Sequence, residues 1–373
     1  MPTIQGVAIG AYTAAIILLQ LPWVAIRLTM RRLTSDEGLP LKADMVRTIF
    51  REMKGIPLSV SRMMMSPAVV PDISASARFK ASPQKFGVPV KASNVKGFWH
   101  VLGPPSKPAV SPRDCTKVVL FIHGGAYILG HPLPSLVSHI RTSEILGQQD
   151  VSIAYFGLMY SLAPENQWPA PVDEALAAYH WLINEEGVKP ADIVISGESA
   201  GGHLCMSLLH EIANQGLPRP GYAALLFPWI NLTNRSPSYT RNKNKDMLNP
   251  TMLDWAVGKL IPTGTRDQYA DIIDFSKSAP GSRSLKDILP ARTWIAVGAH
   301  DVFVDDIIGF EEKARKEGAN VTLEVIEGQG HGLYGFDDIG RVSTYLGLER
   351  GEDAAGILQS PELVAKALLS MFD

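Results

Sequence analysis

Ile193-Val194-Ile195-Ser196-Gly197-Glu198-Ser199-Ala200-Gly201-Gly202-His203-Leu204-Cys205-Met206 decides the fold of this chain. Asp192 to Ser196 is an apolar, β-branched run of strand length. His203 to Leu209 has the apolar spacing of a buried helix. Between them, Gly-x-Ser-x-Gly reverses the chain within a few residues. So tight a turn holds its central residue at strained backbone angles and demands small neighbours, which Gly197, Gly201 and Gly202 supply. The plain alternative is a glycine-rich turn that happens to carry a serine. A strand before and a helix after favour a nucleophile elbow, with the Ser199 hydroxyl exposed at the strand end.

The same rhythm extends in both directions. Upstream, Phe86 to Leu102 reads as a hairpin ending at Gly103-Pro104-Pro105. Lys117 to Ile122 reads as a buried strand running into His123-Gly124-Gly125-Ala126, Val151 to Tyr155 as the next strand, and Pro171 to Asn184 as a helix. Downstream, Tyr222 to Phe227, Thr293 to Val297 and Val321 to Ile326 read as strands, and Ser360 to Phe372 as a closing helix. Strands alternating with helices predict an α/β fold: a mostly parallel sheet with helices on both faces. The rhythm stops between Asn231 and Ser284, so residues 231–284 are expected to form a cap insertion, with a helical piece from Met252 to Leu260. The α/β core is then 86–230 and 285–373. Residues 29–85, helical and mixed, form a further cap region, in which Met63-Met64-Met65 suits gap-filling core or an adaptable pocket wall.

Composition narrows the partners. Lys plus Arg number 35 against 37 for Asp plus Glu, a net charge of -2, so no basic field exists to attract nucleic acid. Two cysteines, Cys115 and Cys205, cannot build a thiolate metal site and are not expected to pair. No HExxH or Walker spacing occurs, so neither metal nor cofactor is expected. From Pro2 to Ile26 no side chain is charged, and Arg27, Arg31 and Arg32 follow. Residues 1–28 are therefore expected to be a retained membrane anchor, spanning or lying in the interface, with a buried or cap-forming helix as the alternative. Positive-inside logic puts the arginine side in the cytosol, whereas the sequons Asn231-Leu232-Thr233 and Asn320-Val321-Thr322 point the other way.

A serine hydroxyl needs a base within hydrogen-bond reach, and that base needs an acid to orient it. Asp301 and His331 follow Ser199 in the order Ser, acid, His, each just past a strand expected to be parallel. Such ends gather on one sheet edge. His331 lies between Gly330 and Gly332, in a loop rather than on an apolar helix face. Asp305 and Asp306 also follow the strand, but fit the first turn of a helix or a pocket rim better. The backbone N–H groups of Gly124, Gly125 and Ala200 are expected to form the oxyanion hole.

These blocks resemble the hormone-sensitive-lipase-like α/β hydrolases. Tyr160-Ser161-Leu162-Ala163-Pro164-Glu165 resembles that family's Tyr-Arg-Leu-Ala-Pro-Glu block, with Ser161 in place of the arginine and a looser loop expected in consequence. Ala126 stands where many members carry a third glycine. The resemblance covers about Lys117 to the C-terminus. It implies a serine carboxylesterase or acetylesterase with a helical cap, using Ser199, Asp301 and His331 as its triad. An anchor before such a domain is similar to fungal steryl acetyl hydrolases and natural-product esterases, which implies a small lipophilic ester and a place at the endoplasmic reticulum membrane. An acyltransferase or dehydratase using the same pocket, or a non-catalytic binder, are the competing readings. Retention of His331 argues against the binder.

Overall fold

The computed structural model describes residues 4–34, 41–52, 56–92, 94–277 and 283–373. Eight strands form one sheet: β1 (Val88–Lys91), β2 (Lys96–Leu102), β3 (Lys117–Ile122), β4 (Ile153–Leu158), β5 (Ile193–Glu198), β6 (Tyr222–Leu226), β7 (Arg292–Gly298) and β8 (Val321–Ile326). Their order is β1-β2-β4-β3-β5-β6-β7-β8. The β1–β2 hairpin is antiparallel and adds to β4 antiparallel, while every pairing from β4 through β8 is parallel. This is the α/β-hydrolase architecture, a mostly parallel sheet with helices on both sides. All six residues of β4 are buried, and so are five of six in β5. Burial on both faces is why these strands read as apolar runs rather than alternations.

Three helices precede the first strand, α1 (Ile4–Thr34), α2 (Leu41–Glu52) and α3 (Leu58–Met64). Helices α4 (Leu136–Gly147), α5 (Ala170–Asn184) and α6 (Ala200–Asn214) connect parallel strands, and the closing helix Gln359–Phe372 packs against α4. On α6, Leu204, Cys205, Met206, Leu208, Leu209 and Ile212 are all fully buried, each large apolar side chain contributing roughly 1.5–3 kcal/mol. The fourth strand sits a little later than expected. Val151 N–H is taken by the Leu146 carbonyl at the end of α4, and pairing with β3 instead continues through Gly157 and Leu158.

The stretch from β6 to β7 leaves the sheet and returns pinned at its base. Leu232 N–H donates to the Ile273 carbonyl and Phe275 N–H to that of Ile230. Its helix Pro250–Leu260 begins at Asn249, whose side chain accepts the Thr251 N–H at 2.8 Å, an N-cap. The Asn231 sequon is closed to modification in this fold: Asn231 is 4% exposed and its Nδ2 donates to Asp306 at 3.0 Å. Met63, Met64 and Met65 are exposed at the end of a short surface helix, so they do not fill the core.

The expected membrane-spanning segment is corrected. Residues from Ile4 form one helix running past residue 28 to Thr34, but among the described residues no helix is long and apolar enough to cross a membrane. Pro22 lies inside α1 and removes a helix N–H. The arginine end is held by protein: Arg27 bonds Glu52 at 3.2 Å, while Arg31 bonds Asp44, Thr48 and the Asn244 carbonyl. The guanidinium groups read as a cytosolic flank therefore tie α1 to α2 and to the insertion.

Candidate active site

Ser199 stands between the last residue of β5 and the first of α6, at φ 55° and ψ −121°. That left-handed conformation is held from both sides: Ser199 N–H donates to Leu226 O, and its own carbonyl accepts from His203 and Trp229. The glycines are required by space. A Cβ on Gly197 would lie 2.6 Å from the Gly201 carbonyl, and one on Gly201 would press into the Ile122 and His123 carbonyls. Gly201→Ala is therefore expected to destabilise the protein by about 3 kcal/mol or more, read as a lower urea midpoint together with lost activity.

Because β3, β5, β7 and β8 are parallel, the residues that follow them meet at one edge. His331 Nε2 lies 2.8 Å from Ser199 Oγ, and His331 Nδ1 lies 2.9 Å from Asp301 Oδ2. The other Asp301 oxygen accepts the Phe303 N–H at 2.8 Å, and Asp301 is fully buried. With the carboxylate holding Nδ1–H, Nε2 is left as the acceptor for the serine proton. Burial is the largest influence on His331 and opposes its charge. Asp301, Asp246 and Glu198 together outweigh burial and raise its pKa above the ordinary histidine value. Asp305 and Asp306 lie in the first turn of the helix Val304–Lys316, turned to other partners: Asp305 pairs with Arg241, and Asp306 accepts from Asn231 and Ser236.

The loop after β3 is built as a cradle. His123 stacks on Tyr160 with ring centroids 4.3 Å apart, and burial lowers its pKa to about 4. It is thus a neutral ring, with Nδ1 2.8 Å from the Gly124 carbonyl. Tyr160 donates to the His123 carbonyl at 3.0 Å. Gly125 sits at φ 116° and Ala126 at 52°, so a side chain is carried at a position where glycine is easier. Ala200, first in α6, has an N–H with no intrahelical partner. Gly124 lies against Glu198, and its N–H faces that half-buried carboxyl, whose pKa is raised by loss of solvation.

The loosening expected from Ser161 does not occur. Its N–H and hydroxyl both donate to Glu174, at 2.5 Å each. The guanidinium missing from that block comes from elsewhere: Arg62 on α3 donates to the Ile128 and Ala163 carbonyls and grips Glu165 with two bonds, at 2.9 and 2.8 Å. A further carboxylate, Asp246, is buried beside Asp301 and His331 and is not among the residues that the sequence pattern singles out. Its Asn- and Lys-rich surroundings carry no periodic signal that could have marked it.

A family model described as alpha/beta hydrolase fold matches residues 119–335. An acetyl-hydrolase of Streptomyces hygroscopicus is 30% identical over 234 residues, covering 60% of this chain and 74% of that protein. The carboxylesterase NlhH of Mycobacterium tuberculosis is 25% identical over 320 residues, covering 83% of this chain and 91% of that one. The solved structure of an esterase from the bacterial hormone-sensitive lipase family superposes with a TM-score of 0.63 at 23% identity, covering 83% of this chain and 98% of that one, a likeness of fold.

Proposed function

This chain belongs to the alpha/beta hydrolase fold family, and from that premise we propose that it is a serine carboxylesterase of the hormone-sensitive-lipase-like kind, working through an acyl-enzyme on Ser199. The observation that carries this reading is the unbroken relay Ser199 Oγ, His331, Asp301, with both links under 3 Å. In this mechanism Ser199 Oγ attacks the ester carbon as its proton passes to His331 Nε2. Asp301 stabilises the imidazolium. The carbonyl oxygen gains negative charge and is met by the N–H groups of Ala200 and Gly125, with Gly124 alongside and shared with Glu198. His331 returns its proton to the departing alkoxide, so the alcohol leaves neutral. Water, deprotonated by the same histidine, then releases the acid and frees Ser199.

The proposed substrate is an acetyl or short-acyl ester of a lipophilic alcohol, admitted beneath a cap formed by residues 29–85 and 231–284. Support comes from the relatives named acetyl-hydrolase and carboxylesterase, and from bonds joining the two cap segments, such as Arg51 to the Asn244 and Asp246 carbonyls. Rates on p-nitrophenyl esters from acetate to decanoate test it. Highest kcat/KM at acetate or butyrate is expected, and a maximum at decanoate would overturn the short-acyl assignment.

A second reading concerns α1, which we propose lies in a membrane interface without crossing it. Leu19, Trp23, Ile26, Met30 and Leu33 recur at spacings of three and four and are all exposed, Leu19 at 79% and Leu33 at 77%. An apolar stripe of that length is unusual on a surface bathed only by water. Co-sedimentation with phosphatidylcholine–phosphatidylserine vesicles is the expected result. Each change of Leu19, Trp23 or Leu33 to Glu should weaken it about tenfold or more. Wild-type protein remaining in the supernatant would overturn the reading.

A further inference from the structure

Asp246 lies in the insertion, away from any strand end, yet its side chain is fully buried at the triad. One oxygen accepts the N–H of Val302 at 2.7 Å, the residue directly after Asp301. The other accepts from Met247 at 2.5 Å, Leu248 at 3.3 Å and His331 at 3.4 Å. One carboxylate thus joins the acid loop, the histidine loop and its own turn. The same segment grips the acid loop a second time, because Asn242 Nδ2 donates to the Asp301 carbonyl at 2.8 Å and to that of Ala299 at 3.1 Å. Arg51 of α2 in turn donates to the Asp246 carbonyl at 2.8 Å.

A neutral side chain could accept several of these N–H groups. What the aspartate adds is charge, and a second buried carboxylate next to Asp301 is unfavourable unless something balances it. Its charged and titratable surroundings are Asp301 and His331 from the loops after β7 and β8, Arg47 from α2, and the Tyr239 hydroxyl from the segment after β6. Arg47 is itself buried, its Nη2 bonded to Gln329 at 3.1 Å and its Nη1 without a partner among the described residues. Burial, then repulsion by Asp301, push the Asp246 pKa up to about 7, with His331 pulling it back down. The group that gains most from a carboxylate here is the imidazolium that forms each time Ser199 gives up its proton.

We propose that Asp246 is a positioning residue of the triad: its carboxylate, delivered by the insertion, holds the Asp301 and His331 loops in register and places a second negative charge beside the reacting histidine. This rests on Ser199, Asp301 and His331 acting as the triad. It makes the insertion part of the catalytic apparatus as well as a cover over it.

The test is the pH profile of p-nitrophenyl acetate hydrolysis by full-length wild type, Asp246→Asn and Asp246→Ser. Thermal unfolding reports the folded state of each. Removing the charge lowers the His331 pKa, so the acid limb of kcat/KM should move to lower pH by about one unit. At the optimum, kcat should fall about tenfold or more with KM little changed. A role confined to packing would lower stability and leave the limb in place, and a folded variant showing that result would overturn the proposal. If neither variant folds, the wild type decides. Two coupled ionisations on the acid limb uphold the proposal, whereas a single unperturbed histidine step overturns it. Failure of the triad itself looks different, because Ser199→Ala would then remain active.

Discussion

Ser199→Ala is expected to lower kcat for p-nitrophenyl acetate by about ten thousand- to a million-fold while leaving the protein folded. The size follows from the arrangement. In the proposed mechanism the Ser199 hydroxyl, 2.8 Å from His331 Nε2, is the nucleophile, so its removal would end the covalent route rather than slow it. What survives is the contribution of the oxyanion donors to direct attack by water. Folding should survive because the left-handed backbone at residue 199 is held by bonds from Leu226, His203 and Trp229, none of which uses the hydroxyl. Alanine at φ 55° tolerates that position about as well as serine. An esterase rate unchanged in the variant would remove Ser199 from the mechanism, and mass spectrometry after mixing with a fluorophosphonate should show no adduct.

Asp301→Asn is expected to be nearly as severe, about ten thousand-fold in kcat, for a different reason. The amide fills the same volume and keeps an oxygen for the Phe303 N–H. Turned that way, it presents NH2 to His331 Nδ1. Nδ1 then becomes the acceptor, Nε2 carries the proton, and the ring can no longer accept one from Ser199. Loss of the carboxylate also removes the strongest of the charges that raise the His331 pKa, so residual activity should persist to lower pH than in the wild type. Direct measurement is a pH–rate profile of the variant beside the wild type. A loss of less than about tenfold, with the acid limb unmoved, would show that Asp301 does not serve the histidine.

Much of this protein is legible in its amino-acid sequence. Gly197, Gly201 and Gly202 around Ser199 have only one economical explanation in a strand–turn–helix context, and the Cβ collisions found at those positions are its physical content. Asp301 and His331 are legible because chain order and strand ends locate them, and Asp305 can be set aside because it opens a helix, where it pairs with Arg241. The N-terminal segment is where composition misleads. An uncharged run from Pro2 to Ile26 reads as a span when only its residue types are weighed, yet its arginine end belongs to a folded interface with Asp44, Glu52 and Asn244.

The sheet, the elbow and the identity of the three relay residues are thus written in the chain itself, because they depend on local periodicity and on backbone demands that few residues meet. What surrounds them is set by tertiary contacts alone: Arg62 reaching from α3 to the Ala163 loop, Glu198 facing Gly124, and Asp246 bridging Val302 and His331. Those contacts join residues that are mostly far apart in the chain, and nothing in either segment marks which side chain on the other it will meet. A polar residue in such a segment looks alike whether it ends in water or beside a buried histidine, and only the closing of the fold settles which.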